Sequence, residues 1–133
     1  MTPAGEHARQ LLNKARDDLY VVARLANDAD APHWTLGFHA QQAIEKALKS
    51  VLTASGVEFP RTHNLSLLVE LLVRHELGHP PRADQLAELT LYGVAFRYDE
   101  IGDDETPSLT WRELQARAAD IVEWAAERIL SRG

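Results

Sequence analysis

The chain has 133 residues, 45% of them hydrophobic and 26% charged, the balance of an ordinary globular protein with one core rather than of a disordered chain. A formal net charge of -6 excludes a protein that coats nucleic acid by bulk attraction and leaves room only for a small local basic groove. Without cysteine there is no disulfide framework and no thiol chemistry, and only His, Asp and Glu remain as metal ligands.

No apolar run approaches the roughly 18 residues of a membrane span. Met1 to Gln10 also lacks the basic-then-apolar layout of a secretory signal, so a cytoplasmic protein with no membrane contact is expected. From Glu6 to Ala29, Ala8, Leu11, Leu12, Ala15, Leu19, Val22 and Ala26 recur at helical spacing and predict a first helix. Pro32 disfavours helix at Ala31 and turns the chain. A second helix is predicted from about Leu36 to Ser55. Its residues Leu36, Ala40, Ala43, Ile44, Ala47, Leu48, Val51 and Leu52 cover about half the circumference, which makes it the central helix. Gly56 ends it as a left-handed cap would.

After Phe59-Pro60, Thr62 or Asn64 caps a third helix carrying Leu65, Leu68, Leu71, Leu72 and Val73, which stops at Gly78-His79-Pro80-Pro81. A fourth helix starts near Pro81 or Arg82, with Leu86, Leu89, Gly93 and Phe96 on one side, and fades around Tyr98. Asp99 to Pro107 holds five acidic residues and reads as a solvated loop. Thr110 and Glu113 fit a capping box for a fifth helix, whose stripe is Leu114, Ala118, Ile121, Ala125 and Ile129. Strand alternation is absent. Short links between amphipathic helices predict an all-α, single-domain, up-and-down bundle of four to five helices spanning 1–133.

His75-Glu76-Leu77-Gly78-His79 matches H-E-x-x-H, in which two histidines one turn apart bind zinc and the glutamate is the general base. That chemistry needs the helix to continue. Gly78, Pro80 and Pro81 break it at once, no histidine follows His79, and only acids such as Glu88, Glu100 or Glu105 are left to complete a site. The context points instead to a helix C-terminus, where both imidazoles meet the negative end of the dipole. A zinc hydrolase through His75 and His79 is the least favoured reading.

Phe38-His39-Ala40-Gln41-Gln42-Ala43-Ile44-Glu45-Lys46-Ala47-Leu48-Lys49, then Gly56, Pro60 and Thr62-His63-Asn64-Leu65, resembles the HEPN domain family (higher eukaryotes and prokaryotes nucleotide-binding). Ala15, Asp18, Leu19, Trp34, Leu91-Tyr92 and Phe96-Arg97-Tyr98 extend the resemblance over nearly the whole chain. It implies a helical bundle, frequent homodimers, association with RNA or nucleotides, and often a small nucleotidyltransferase partner in toxin-antitoxin or defence modules. No cofactor is expected. Many members are metal-independent ribonucleases built on an Arg-x4-6-His motif near the start of the last conserved helix. Here Arg97 fits the arginine-bearing region, but Tyr98 through Gly133 contains no histidine. Arg74 and His79 have the spacing but straddle a helix break.

Two functional expectations follow. The first is a nucleotide- or RNA-associated binding component without the usual ribonuclease centre. The second is a metal-independent ribonuclease in which Arg97 works with a displaced histidine such as His39 or His63. Candidate contact residues on the second helix are Phe38, His39, Gln42, Lys46 and Lys49, which with Glu45 project within roughly 140° of one another opposite the core stripe. This face is a contact surface, a dimer seam or merely solvated. Arg97 and Tyr98 suit phosphate and base, or else the arginine pairs with the acidic cluster. His63 touches a nucleotide or fixes the entry to the third helix. Trp111 and Trp124 pack in the core or at a dimer interface.

Overall fold

The first helix, α1 (Pro3–Ala26), begins a turn earlier than its apolar stripe, because Thr2 accepts a hydrogen bond from the Gly5 N–H at 3.0 Å and Pro3 is pre-set for the first helical position. It stops at Ala26, three residues short of the predicted end, with Asn27 as its C-cap. A computed structural model describes residues 2–87, 89–90 and 110–130. The second helix, α2 (His33–Ala54), follows a six-residue link and also starts earlier than predicted. It ends as Gly56 requires: at φ 72° the glycine is left-handed, Val57 N–H donates to Leu52 O at 2.9 Å, and Gly56 N–H donates to Thr53 O at 3.1 Å.

Asn64 caps α3 (Leu65–Arg74), its side chain accepting from Leu67 N–H, while Thr62 accepts from Asn64 N–H. The helix stops four residues before Gly78. His75 is its C-cap and Glu76 takes the left-handed position at φ 56°, with Leu77 N–H donating to Leu72 O at 2.9 Å. A 3-10 turn at Ala83–Gln85, rather than an α-helix, opens the next segment. Residues 87, 89 and 90 are helical, and the rest of the predicted fourth helix, with the acidic loop, lies outside the described residues.

The fifth predicted helix is α4 (Trp111–Leu130). Thr110 Oγ1 accepts from Glu113 N–H and its hydroxyl donates to the Glu113 carboxylate, both at 3.2 Å, so the cap is local to these two side chains.

Among the described residues the protein is all-helical. α2 packs against α1, α3 and α4, and α1 also packs against α4, which makes α2 central as its broad apolar stripe predicted. All eight residues of that stripe are buried, as are Leu114, Ala118, Ile121, Ala125 and Ile129 of α4. Asp18 of α1 reaches both His39 and Lys46 of α2, which with the short link makes the pair an antiparallel hairpin. Trp124 packs against the core and carries the Arg128 guanidinium 4.6 Å over its ring, whereas Trp111 is 40% exposed. No described helix is long and apolar enough to cross a membrane.

Leu48 is fully buried where α2 meets its neighbours. Leu48→Ala is expected to lower unfolding free energy by about 2–5 kcal/mol, read as a lower urea midpoint at unchanged slope.

Candidate functional site

On α1, Ala15, Asp18 and Val22 follow one another at three and four residues, so Asp18 lies on the buried stripe and is turned into the contact with α2. It is 9% exposed. A carboxylate in that position needs donors, and α2 supplies two from one side of the helix, seven residues apart. His39 Nδ1–H donates to Oδ1 at 3.0 Å and Lys46 Nζ donates to Oδ2 at 2.6 Å.

A second set is built from Gln41, Glu45 and Lys49, one helical turn apart on α2, and from His63 in the link before α3. Glu45 is buried. Its Oε1 accepts from His63 Nδ1–H at 2.7 Å and from Gln41 Nε2 at 3.0 Å, and its Oε2 accepts from Lys49 Nζ at 3.0 Å. Gln41, with no exposed surface, also donates to His63 O at 3.3 Å and accepts from Gln42 Nε2 at 2.7 Å, which fixes the orientation of both amides. The link before α3 is thereby tied to α2 through side chain and backbone together.

Apart from Gln41 on Glu45, the two sets are built alike. In each, a carboxylate spends one oxygen on a histidine Nδ1 and the other on a lysine. An ionised carboxylate only accepts, so each Nδ1 carries the proton and Nε2 is the ring nitrogen left for other partners. With a neutral imidazole, each set sums to zero charge.

Of the residues singled out by sequence, His39, Gln42, Lys46, Lys49 and His63 join this network. Phe38 lies beside it, half-buried, its ring edge-to-face with His39 at 5.4 Å between centroids. Lys49 Nζ also lies 5.7 Å from the Phe59 ring centroid. Arg97 and Tyr98 lie outside the described residues. What sequence reasoning missed is the burial of Asp18, Gln41 and Glu45. For Asp18 the signal was present, as a charged residue at a stripe position of α1.

His75 and His79 do not join any such arrangement. The helix ends at Arg74, and the left-handed Glu76 and Gly78 (φ 116°) turn the chain, so the four-residue spacing does not set both imidazoles on one helical face. Arg128 side-chain atoms would lie as close as 2.6 Å to a Cβ at Gly78. Among the described residues no three His, Asp or Glu side chains are grouped to hold a metal ion. A cavity of about 510 Å³ lies at the α1–α2 link against Trp111, and none of its lining residues belongs to the polar network.

These features define an all-helical bundle whose central helix bears a fixed set of ionic hydrogen bonds on one face. The chain matches the HEPN domain model over residues 8–129, and it belongs to the HEPN domain family. Membership points to a nucleotide- or RNA-related function. No curated protein and no solved structure matches the chain.

Glu45→Ala removes the common acceptor of three donors and leaves Lys49, whose side chain is 16% exposed, without its carboxylate. A loss of about 2–4 kcal/mol is expected, below the cost for a dry pair because Lys49 and His63 still reach water, and thermal unfolding measured against Glu45→Gln checks it.

Proposed function

We propose that the protein is a nucleotide- or RNA-associated binding component, homodimeric and paired with a small nucleotidyltransferase in a toxin-antitoxin or defence-type module, and that the polar face of α2 is its contact surface. The observation that carries this reading is the fixed network of Asp18, His39 and Lys46 with Gln41, Glu45, Lys49 and His63, set on the segment where the likeness to the family is most specific. A face held by charge-assisted hydrogen bonds is pre-aligned for a polar ligand, because little side-chain freedom is left to lose on binding. The absence of histidine after Arg97 supports binding over cleavage by the family's usual motif.

Ribonuclease action by Arg97 with a displaced histidine is the second reading. It is supported by His63, whose Nδ1 is held on a buried carboxylate, the arrangement that readies Nε2 for proton transfer.

One experiment separates the two. Single-stranded RNA is expected to bind the full chain without being cut in the absence of metal. Lys46→Gln and Lys49→Gln should each weaken binding by about three- to tenfold in a fluorescence anisotropy titration. Cleavage that disappears in Arg97→Ala would establish the second reading instead. Failure of any nucleotide or RNA to bind would remove the first, and sedimentation of the free chain as a monomer would remove its homodimer.

A further inference from the structure

The two carboxylate sets of α2 repeat one another, and their separation says what they can hold. His39 and Glu45 are six residues apart, so helical geometry puts them roughly 120° apart around α2 and about 9 Å apart along it, with His63 held on Glu45. A phosphate group is only a few ångströms across. It can engage one set but not both.

Each set also has a particular electrical character. Asp18 and Lys46 cancel, as do Glu45 and Lys49, so neither set attracts an anion while its histidine is neutral. A protonated imidazole leaves a net charge of +1 on its set, and Nε2–H then becomes a donor beside the lysine ammonium. Among the described residues, His39 is paired with Asp18 from α1, which also holds Lys46 from α2, and His63 is paired with Glu45 from α2, which also holds Lys49. The imidazoles reach solvent, with side-chain exposures of 28% for His39 and 37% for His63. Both rings are therefore open at the surface.

The geometry points to a two-phosphate site for a single-stranded phosphodiester chain, in which His39 with Lys46 takes one phosphate, His63 with Lys49 takes another further along the same strand, and each phosphate brings one proton onto its histidine. This deepens the binding reading given above and rests on it. A chain with net charge -6 holds a polyanion poorly by bulk attraction, so positive charge that appears only on contact suits a short local grip. A mononucleotide fills one set; a strand of several nucleotides spans both.

Proton uptake by the unaltered full chain, measured by titration calorimetry in buffers of different ionisation enthalpy, is the direct test. The probes are uridine monophosphate and oligouridylates and oligothymidylates of about two to eight nucleotides. The longer strands are expected to take up about two protons, with affinity falling about a hundredfold per pH unit, against about tenfold for the mononucleotide. His39→Gln and His63→Gln, on separate segments of the chain, should each reduce the long-strand dependence to about tenfold per pH unit. A merely structural role for the histidines would change melting temperature without changing this slope. Binding that is equally tight for the mononucleotide and the longest strand, or that shows no proton uptake, overturns the two-phosphate site and leaves the binding reading standing. No binding of any probe at any pH overturns both. Equal behaviour of the uridine and thymidine strands supports recognition of the phosphodiester chain alone.

Discussion

Taking a carboxylate out of water costs several kcal/mol unless its lone pairs are filled, and Glu45 meets that demand on the helix against which the other described helices pack. Three donors converge on it: Gln41 and Lys49 from the turns on either side, and His63 from the link to α3. Because the last of these lies 18 residues away in sequence, satisfying the charge fixes where α3 begins. Asp18 imposes the same condition between α1 and α2. Apolar burial accounts for the existence of the bundle, but it is tolerant of small slides between helices. Directional bonds to buried charges are less tolerant, so they specify the register in which the helices meet.

That division of labour explains why one helix serves both fold and site. The apolar half of α2 is wide enough to touch three neighbours, and the polar half is held rigid by the carboxylates at its two edges. Side chains that would otherwise sample many rotamers are thus kept in one arrangement, and the lysines keep their charges close to carboxylates rather than offering them freely to solvent. Such a face does little to attract a polyanion at a distance. Recognition of the proposed ligand by such a face acts at short range.

Most of the fold was legible in the sequence because helical apolar stripes are local and periodic. The eight stripe residues of α2 and the five of α4 could be listed from spacing alone, and Gly56 and Asn64 carried their capping roles in their chemistry. Boundaries were less legible. Thr2 and Pro3 extend α1 through residues outside its predicted apolar stripe, and Glu76, a residue with no special liking for the left-handed region, ends α3 before the obvious Gly78. The site was legible as a set of residue types and not as a network, since hydrophobic periodicity assigns every polar side chain to solvent. Gln41 and Glu45 are buried because partners far along the chain meet them, and spacing within one helix carries no record of those partners. Asp18 is the partial exception, since it lies three residues after Ala15 and four before Val22, although the predicted stripe ran through Leu19 instead.

The distribution of histidines bears on what chemistry is open to this member of the family. All six lie between His7 and His79, so none belongs to α4 or to the segment that precedes it from Arg97 onward. His75 and His79, the two histidines of the H-E-x-x-H match, are exposed at a helix end and around a left-handed turn. His39 and His63 differ in kind, since each is oriented by a carboxylate through Nδ1 and backed by a lysine. Acid-base work and anion contact both require a ring nitrogen of defined direction. On that criterion the outer face of α2 and the entry to α3 form the candidate site, and what would distinguish the proposed binding from catalysis there is whether a reacting group is brought to Nε2 or only a phosphate oxygen.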